Sequence, residues 1–330
     1  MNYTCRICAN SDHNRVFACG EKMLGWGDEF QYFQCANCGC LQIATVPADL
    51  GRFYPTNYYS FHVKPFPQSG WKSKLAALRD FSAATGIGIW GKSLNHITPA
   101  RSDVASLVHV PTRKDMRILD VGCGRGQLLS ILHRAGFNHL FGVDPYLSED
   151  IEVVPGLRVR KQSLEQLSEQ FDLIMLHHVF EHVESGQTML KSCRQRLAPR
   201  GKILLRFPTP ESDAWEQYRE NWVQIDAPRH LFLYTRASLQ LIAEQSGLKI
   251  EKWVCDSSAF QFWGSELYRK GLSLYDHNGI AINPESYFTK AEMKAFGEKS
   301  KIANAHQRGD QVVTVLSCGS VLKNHEVPMQ

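Results

Sequence analysis

Residues 120–126, DVGCGRG, place a glycine at every second position between an apolar run and a stretch with helical spacing. Glycines at 122, 124 and 126 let the backbone turn tightly and approach a ligand with no β-carbon in the way. A ligand bound there would lie against the N-terminus of the following helix. The dinucleotide-binding fingerprint needs its third glycine at 127, where this chain has Gln127, so the spacing fits a different ligand better.

An aspartate follows at the distance expected of a ribose-binding group. Asp144 ends the apolar run GVD, 20 positions after Gly124. At the C-terminal edge of a strand, its carboxylate can accept hydrogen bonds from both hydroxyls of a ribose. The alternative is that the glycines only form a tight strand-to-helix turn. Asp120 and Asp144 together argue against that alternative.

Two short-spaced cysteine pairs predict a metal site near the N-terminus. Cys5 with Cys8, and Cys35 with Cys38, form two CxxC knuckles, each able to give two thiolates to one tetrahedral zinc. Gly39 permits the tight turn after the second knuckle, and Cys19 and Cys40 are possible substitute ligands. We therefore predict a structural zinc ribbon over residues 1–46, with the four knuckle cysteines as its ligands.

From residue 116 onward, short β-rich runs alternate with helical stretches, which predicts a doubly wound α/β sheet. The predicted strands are MRILDV, HLFGVD, LRVRK, FDLIML, GKILLRF, LKIEKWV and QVVTVLS, and the predicted helices cover 127–135, 164–169, 185–197 and 237–246. The segment between the last two strands is too long for a plain connection, so a helical insertion is expected at 256–309. Two further helices, at 71–84 and 102–110, follow an aromatic, proline-containing segment at 53–67.

The composition is that of a globular protein. The 330 residues are 43% apolar and carry a net charge of +4, with basic residues scattered among acidic ones, so nucleic acid is not expected as a partner. No apolar run reaches about 18 residues, and the N-terminus lacks the pattern of a secretory signal. A cytoplasmic protein with no membrane partner is therefore expected. The oligomeric state is left open.

The segment from Asp120 to Gly126 and the later Asp144 resemble the first two motifs of the class I S-adenosylmethionine-dependent methyltransferases. The resemblance covers roughly residues 110–255, with QVVTVLS as the reversed final strand. It implies a seven-stranded Rossmann-like domain over 111–330, preceded by the zinc ribbon and by an aromatic linker with helices over 47–110. It also implies S-adenosylmethionine as cofactor, bound by Asp120, Gly122, Gly124, Gly126, Gln127, Asp144, Ser163, Leu164 and His177.

Methyl transfer to oxygen or nitrogen is an in-line displacement that needs alignment, exclusion of water and, for a hydroxyl acceptor, a base. The segment HHVFEHV, residues 177–183, offers His178, Glu181 and His182 near a strand end. In similar ubiquinone-pathway O-methyltransferases, an acidic residue three positions before the Glu-His pair can join it in holding a divalent metal. Here that position is His178, and a bracing role for the pair is preferred over a metal site.

The segment 211–235, which we call the roof segment, is expected to cover the acceptor pocket beyond the strand ends. It supplies His230, the first candidate for general base; the alternative is a histidine that pins the loop to the sheet. Its other members suited to stacking on or hydrogen-bonding a sugar are Trp215, Tyr218, Trp222, Asp226, Arg229 and Tyr234.

The Pro-Arg-His-Leu stretch, the four-cysteine module and the paired Tyr58 and Tyr59 resemble features of polysaccharide-pathway methyltransferases. We therefore expect O-methylation of a small polar acceptor, such as a sugar or sugar nucleotide. Two alternatives stay open. One is an RNA base methyltransferase with a zinc ribbon, and the other is a non-catalytic, cofactor-binding interaction protein.

Overall fold

The computed structural model describes residues 3–54, 70–276 and 279–319. The strands of these residues, in chain order, are β1 (Arg15–Gly20), β2 (Glu29–Gln34), β3 (Leu41–Ile43), β4 (Arg117–Val121), β5 (His139–Val143), β6 (Ile151–Val154), β7 (Leu157–Arg160), β8 (Phe171–His177), β9 (Leu197–Pro208), β10 (Phe232–Leu233), β11 (Leu248–Cys255) and β12 (Gln311–Cys318). Tyr58 and Tyr59 lie outside the described residues, as does most of the aromatic segment.

The α-helices of the described residues are α1 (Trp71–Thr85), α2 (Ile89–Ile97), α3 (Ser102–Ser106), α4 (Gln127–Arg134), α5 (Gly186–Gln195), α6 (Asp213–Tyr218), α7 (Arg236–Gln245), α8 (Phe260–Arg269) and α9 (Lys290–Ala305). The helix predicted at 164–169 is a single 3₁₀ turn, Leu164–Gln166. The expected helical insertion is present as α8 and α9, whereas α2 was not predicted.

The larger sheet confirms the α/β prediction. Its order is β11-β12-β9-β8-β4-β5-β7-β6, with β4, β5, β7, β8 and β9 parallel and β12 antiparallel to β9. The described sheet has eight strands rather than seven, because Ile151–Val154 pairs antiparallel with β7 at the edge. This strand is short and only partly buried, so its sequence lacks a strong apolar signal. The carboxyl ends of β4, β5, β8 and β9 meet at one edge of this sheet.

The N-terminal residues form a second sheet whose last strand comes from the roof segment. β1, β2 and β3 are antiparallel neighbours, and β10 pairs with β3 through Phe232 and Leu233. β10 follows β3 by about 190 residues, so this sheet contains a strand from far outside the N-terminal residues. The domain boundary predicted at residue 46 stays a prediction.

Helices α1 and α2 form a hairpin on the outside of the larger sheet. Gly91 allows their close approach, because a β-carbon there would lie 2.4 Å from the Leu78 carbonyl oxygen. The buried Asp80 of α1 forms an ion pair of 2.7 Å with Arg134 of α4, which holds the hairpin against the helix that follows β4. No helix of the described residues is long and apolar enough to cross a membrane.

Candidate active site and metal centre

The glycine loop connects β4 to α4, and its three glycines share a backbone conformation that other residues rarely adopt. Gly122, Gly124 and Gly126 have φ angles of 69°, 51° and 76°, in the left-handed region that favours glycine. A β-carbon on Gly122 would lie 2.5 Å from the Val179 side chain, and one on Gly126 would lie 2.7 Å from Val153. Two of the three glycines therefore accommodate neighbouring protein side chains, in addition to any ligand.

Asp144 lies directly against this loop. Its Oδ2 accepts a hydrogen bond of 2.9 Å from the Gly124 N–H, and its Oδ1 accepts one of 2.9 Å from the Tyr146 N–H. β4 and β5 are paired in register up to Val143, which brings the residue after β5 beside the loop after β4. The structure thus brings together the two motifs that the sequence analysis assigned to one ligand.

The site concentrates negative charge. Asp120, at the end of β4, is 4% exposed, and burial raises the pKa of its carboxyl well above the ordinary value; the nearby charges of Asp103 and Asp144 raise the pKa further. A ligand carrying positive charge would relieve this repulsion. S-adenosylmethionine carries a sulfonium and an ammonium group, so these residues fit that cofactor in charge as well as in backbone shape.

Of the remaining predicted cofactor residues, Gln127, His177 and Ser163 form hydrogen bonds within the protein, and Leu164 is part of the core. Gln127 Oε1 accepts a 2.6 Å hydrogen bond from Arg101, and His177 Nε2 lies 2.9 Å from Ser106 Oγ. Ser163 caps the 3₁₀ turn, and Leu164 is 2% exposed within the main apolar core. The Ser163 N–H donates a 2.7 Å hydrogen bond to Gln166 Oε1, and the assignment of 163 and 164 to the adenine stays a prediction.

His178 and Glu181 form a fixed pair at the end of β8. Arg206 donates a 2.6 Å hydrogen bond to His178 Nε2, so the His178 proton is on Nδ1, from which it reaches Glu181 Oε1 at 3.2 Å. Burial by itself would raise the pKa of Glu181. The hydrogen bond from His178 and the electrostatic influence of the neighbouring His182 oppose this effect and hold the pKa at about 2. The other oxygen, Oε2, is buried and has no hydrogen-bond partner among the described residues.

His182 and His230 face each other with a ring-centroid separation of 4.8 Å. Nδ1 of His182 is 2.9 Å from the Arg229 carbonyl oxygen, and Nδ1 of His230 is 2.8 Å from the Gln224 carbonyl oxygen. Because a carbonyl only accepts, each Nδ1 carries the proton and each Nε2 keeps its lone pair. Burial and the adjacent His182 lower the pKa of His230 to about 4, so this ring is neutral at pH 7.

The loop that carries His230 is held by a buried ion pair with the N-terminal sheet. Arg229 and Glu21 are both fully buried, with 2.7 Å between Nη2 and Oε1, and the same Nη2 is 2.6 Å from Asp226 Oδ1. The Tyr32 hydroxyl donates a 2.8 Å hydrogen bond to the His230 carbonyl oxygen. Glu21, directly after β1, and Tyr32 of β2 thus position the backbone around the candidate base.

A cavity of about 440 Å³ opens beside these groups. Its polar lining includes His178, His182, Arg206, Asp226 and His230. Its aromatic lining comes from the insertion, as Phe260, Trp263, Tyr268 and Tyr275.

The roof-segment aromatics expected to stack on an acceptor are instead buried. Trp215, Trp222 and Tyr234 are at most 1% exposed, Tyr218 is 4% exposed, and none of the four lines the cavity. That expectation was wrong, because these rings pack together and against Phe17 and Phe180 to form core.

The four predicted zinc ligands converge. The Sγ atoms of Cys5 and Cys38 are 3.6 Å apart, those of Cys8 and Cys35 are 3.5 Å apart, and all four lie within 4.8 Å of one another. A tetrahedron of Zn–S bonds of about 2.3 Å has edges of about 3.8 Å, so the cluster fits one zinc ion. Gln42 and the Ile7 N–H donate to Cys5 Sγ, as groups around a metal-bound thiolate do.

Cys19 and Cys40, the proposed substitute ligands, are not part of the cluster. Both are fully buried as core side chains.

Comparison with known proteins supports the fold and the cofactor. Residues 97–252 match a family model described as a methyltransferase domain. The chain carries a class I S-adenosylmethionine-dependent methyltransferase domain.

Curated relatives of this methyltransferase domain are O-methyltransferases. The human mitochondrial ubiquinone biosynthesis O-methyltransferase is 34% identical over 105 residues, which are 27% of this chain and 28% of that protein. The corresponding Rickettsia bellii enzyme is 31% identical over 158 residues, 44% of this chain and 66% of that protein. The malonyl-[acyl-carrier protein] O-methyltransferase of Enterobacter lignolyticus is 28% identical over 145 residues, 39% of this chain and 53% of that protein. The chain thus spans less than a third of the length of the mitochondrial relatives.

Solved methyltransferase structures also match. One from Mesorhizobium loti has a TM-score of 0.38 at 16% identity and covers 61% of this chain and 90% of its own. One from Archaeoglobus fulgidus has a TM-score of 0.40 at 18% identity and covers 69% of this chain and 98% of its own.

Sequence analysis missed the contributions of Glu21, Tyr32 and Arg206 to the site. No motif marks these residues, and each is separated from its hydrogen-bond partner by 28 to 208 positions in the sequence. A buried ion pair of this separation has no local sequence signal.

Glu21→Gln is expected to lower the free energy of unfolding by about 3 kcal/mol, because it leaves the buried Arg229 charge short of one partner. Urea denaturation measures the change. Glu29→Gln, an exposed residue of β2, is the matched control and should change stability by less than about 0.5 kcal/mol. Equal stabilities of the two variants would contradict a role for this ion pair in holding the roof segment.

Cys38→Ser is expected to lose one equivalent of zinc per chain, since three thiolates and a hydroxyl bind zinc more weakly than four thiolates. Metal analysis of protein purified without added metal measures the loss. Cys318→Ser, at the exposed end of β12, should retain the full zinc content. Zinc below one equivalent in the unmodified protein would exclude the metal centre.

Proposed function

We propose that the protein transfers a methyl group from S-adenosylmethionine to a hydroxyl of a small polar acceptor. The observation that carries this proposal is the contact of the Asp144 carboxylate with the glycine loop after β4. The parallel neighbour of β4, β8, ends at the same edge of the sheet, and His178 directly after it lines the cavity. S-adenosylmethionine supplies an electrophilic methyl group on a sulfonium. Asp144 would bind the ribose, and the glycine loop with Asp120 would bind the methionine part.

His230 acts as the general base in this proposal. Its Nδ1–H is committed to the Gln224 carbonyl, so Nε2 is the basic nitrogen, and the residue lines the cavity. Nε2 takes the proton of the acceptor hydroxyl as its oxygen attacks the methyl carbon in line with the departing sulfur. Asp226 Oδ2, 3.8 Å from Nε2, and the ionised Glu181 then stabilise the imidazolium.

The acceptor proposed is a sugar or sugar nucleotide. In support, the cavity combines hydrogen-bonding groups with the aromatic rings of Trp263 and Tyr275, a lining suited to a hydroxylated ring. The O-methyltransferase names of the relatives agree with an oxygen acceptor, although those names refer to ubiquinone biosynthesis and malonyl-acyl carrier protein. The charged side chains that line the cavity are Arg206, Asp226 and Asp310, beside the histidines. This lining is not strongly positive, so it disfavours binding of an RNA backbone.

Metal-assisted methyl transfer is a second candidate, favoured by one observation. Glu181, His182 and His230 bring three ligand atoms within 4.8 Å of one another. Both histidines donate Nδ1–H to backbone carbonyls, as metal-bound histidines do, and Glu181 Oε2 has no partner among the described residues. A divalent cation held there would lower the pKa of a bound acceptor hydroxyl. The sequence analysis considers His178 as the third ligand, whereas this second candidate uses His230, whose ligand atom lies close to those of Glu181 and His182.

Asp144→Ala is expected to weaken binding of both S-adenosylmethionine and its demethylated product by tenfold or more, because hydrogen bonds to a charged carboxylate are lost. Calorimetry measures both affinities. Asp115→Ala removes an exposed aspartate before β4 and should leave them unchanged. Equal, tight binding by the Asp144 variant would refute the ribose assignment, and no binding by the unmodified protein would favour a non-catalytic role.

His230→Gln is expected to lower kcat at least a hundredfold while changing cofactor affinity less than threefold, because it removes the base without touching the cofactor site. The assay uses radiolabelled S-adenosylmethionine with a panel of nucleoside-diphosphate hexoses and free hexoses. Since the His230 pKa is about 4, the neutral form prevails above it and kcat/KM should be flat from pH 8 to pH 5. A fall centred at the ordinary histidine pKa of about 6.5 would contradict this base.

The two mechanisms separate on metal dependence. If His230 is the base, treatment with EDTA that leaves the cysteine-bound zinc in place should not change kcat. If a divalent cation assists, EDTA should abolish activity and Mg²⁺ or Mn²⁺ should restore it. Transfer of label to none of the sugar acceptors, with intact cofactor binding, would remove the sugar proposal alone.

A further inference from the structure

The hairpin of α1 and α2 presents large apolar side chains to solvent. We call this the hairpin face, made of Trp71, Leu75, Leu78, Ile89, Trp90 and Ile97. Trp90, Ile97 and Ile89 are 79%, 78% and 77% exposed, and Trp71 is 68% exposed. Single exposed apolar residues are ordinary, whereas several on two neighbouring helices mark an interaction site.

Helical spacing explains why these side chains stay outside. Trp71, Leu75 and Leu78 follow one another at i, i+4 and i+7, so they form one stripe along α1. The opposite side of α1 is buried through Ala83 and Ala84 in the core shared with α4. The hairpin therefore has two apolar sides, of which the protein covers one.

The same segment is basic. Residues 70–101 contain five basic side chains, Lys72, Lys74, Arg79, Lys92 and Arg101, and one acidic side chain, Asp80. Asp80 is 1% exposed and already paired with Arg79 and Arg134. The charge that the hairpin shows to solvent is therefore positive, with three exposed lysines beside the apolar side chains.

We propose that the hairpin face binds an anionic lipid surface. Tryptophan and lysine are the side chains that anchor interfacial helices, with the ring at headgroup depth and the ammonium at lipid phosphates. A second copy of the chain is a poorer occupant, because a symmetric contact would bring two positively charged copies of the same face together. The expectation of no membrane partner came from the lack of a spanning segment, and helices that lie in the interface need none.

The Asp80–Arg134 ion pair and the close packing at Gly91 fix the hairpin on α4, which follows the glycine loop. Binding through the hairpin face would therefore hold the methyltransferase domain itself at the membrane. This inference does not depend on the proposed reaction.

Sedimentation with lipid vesicles tests the proposal on the full chain. The protein should bind vesicles of phosphatidylcholine mixed with phosphatidylglycerol, bind pure phosphatidylcholine far more weakly, and dissociate in high salt. Changing Lys72, Lys74 and Lys92 to glutamine should lower the partition coefficient roughly a hundredfold, since each lysine near an anionic surface contributes about fivefold. The double variant Trp71→Ser and Trp90→Ser should lower the coefficient at least tenfold.

The matched control changes Lys290, Lys294 and Lys301, three exposed lysines of α9, to glutamine and should bind like the unmodified protein. Cofactor affinity and circular dichroism show that each variant is folded. Equal binding to neutral and anionic vesicles, no binding to either, or equal loss in the control would overturn the proposal. A concentration-dependent dimer that the tryptophan variant abolishes, without vesicle binding, would assign the hairpin face to a second copy.

Discussion

The arrangement of the candidate active site depends on one buried ion pair, between Glu21, directly after β1, and Arg229 of the roof segment. Both side chains are inaccessible to solvent, so neither charge can be compensated by water if the other moves away. Asp226 shares the Arg229 guanidinium and also faces His230. The positions of the candidate base and of its neighbouring carboxylate are therefore set by a residue more than 200 positions away.

The cysteine cluster also contacts the roof segment, and so bears on the position of the candidate base. The second knuckle packs on the roof segment, where Thr235 donates to the Cys38 carbonyl oxygen at 2.5 Å and β10 pairs with β3. A metal that orders the knuckles orders β2 and β3 as well, and hence Tyr32, which holds the His230 carbonyl. The N-terminal sheet thus contributes structurally to the candidate active site.

Charge divides the site into two regions with different tasks. Three aspartates gather around the glycine loop, where a cationic cofactor would relieve their repulsion. The cavity beyond β8 is instead lined by histidines held neutral or fixed by carbonyls and by Arg206. A cation and a neutral, hydroxylated acceptor would each find a suitable environment.

Much of this protein was determined by the sequence alone. The glycine spacing, Asp144 and the two CxxC knuckles are local patterns, and the alternating strands and helices required the strand ends to meet, so the fold followed from short-range rules. The cofactor was implied by the resemblance of the glycine loop and Asp144 to the methyltransferase motifs. Tertiary structure alone decided which distant side chains share a site. His230 lies beside Glu181 and His182 because the neighbouring Arg229 is paired with Glu21. The tryptophans of the roof segment are buried in the core, and α8 supplies aromatic rings to the cavity. Packing and buried charge pairing act between residues far apart in the chain, and such contacts leave no periodic signal in the sequence.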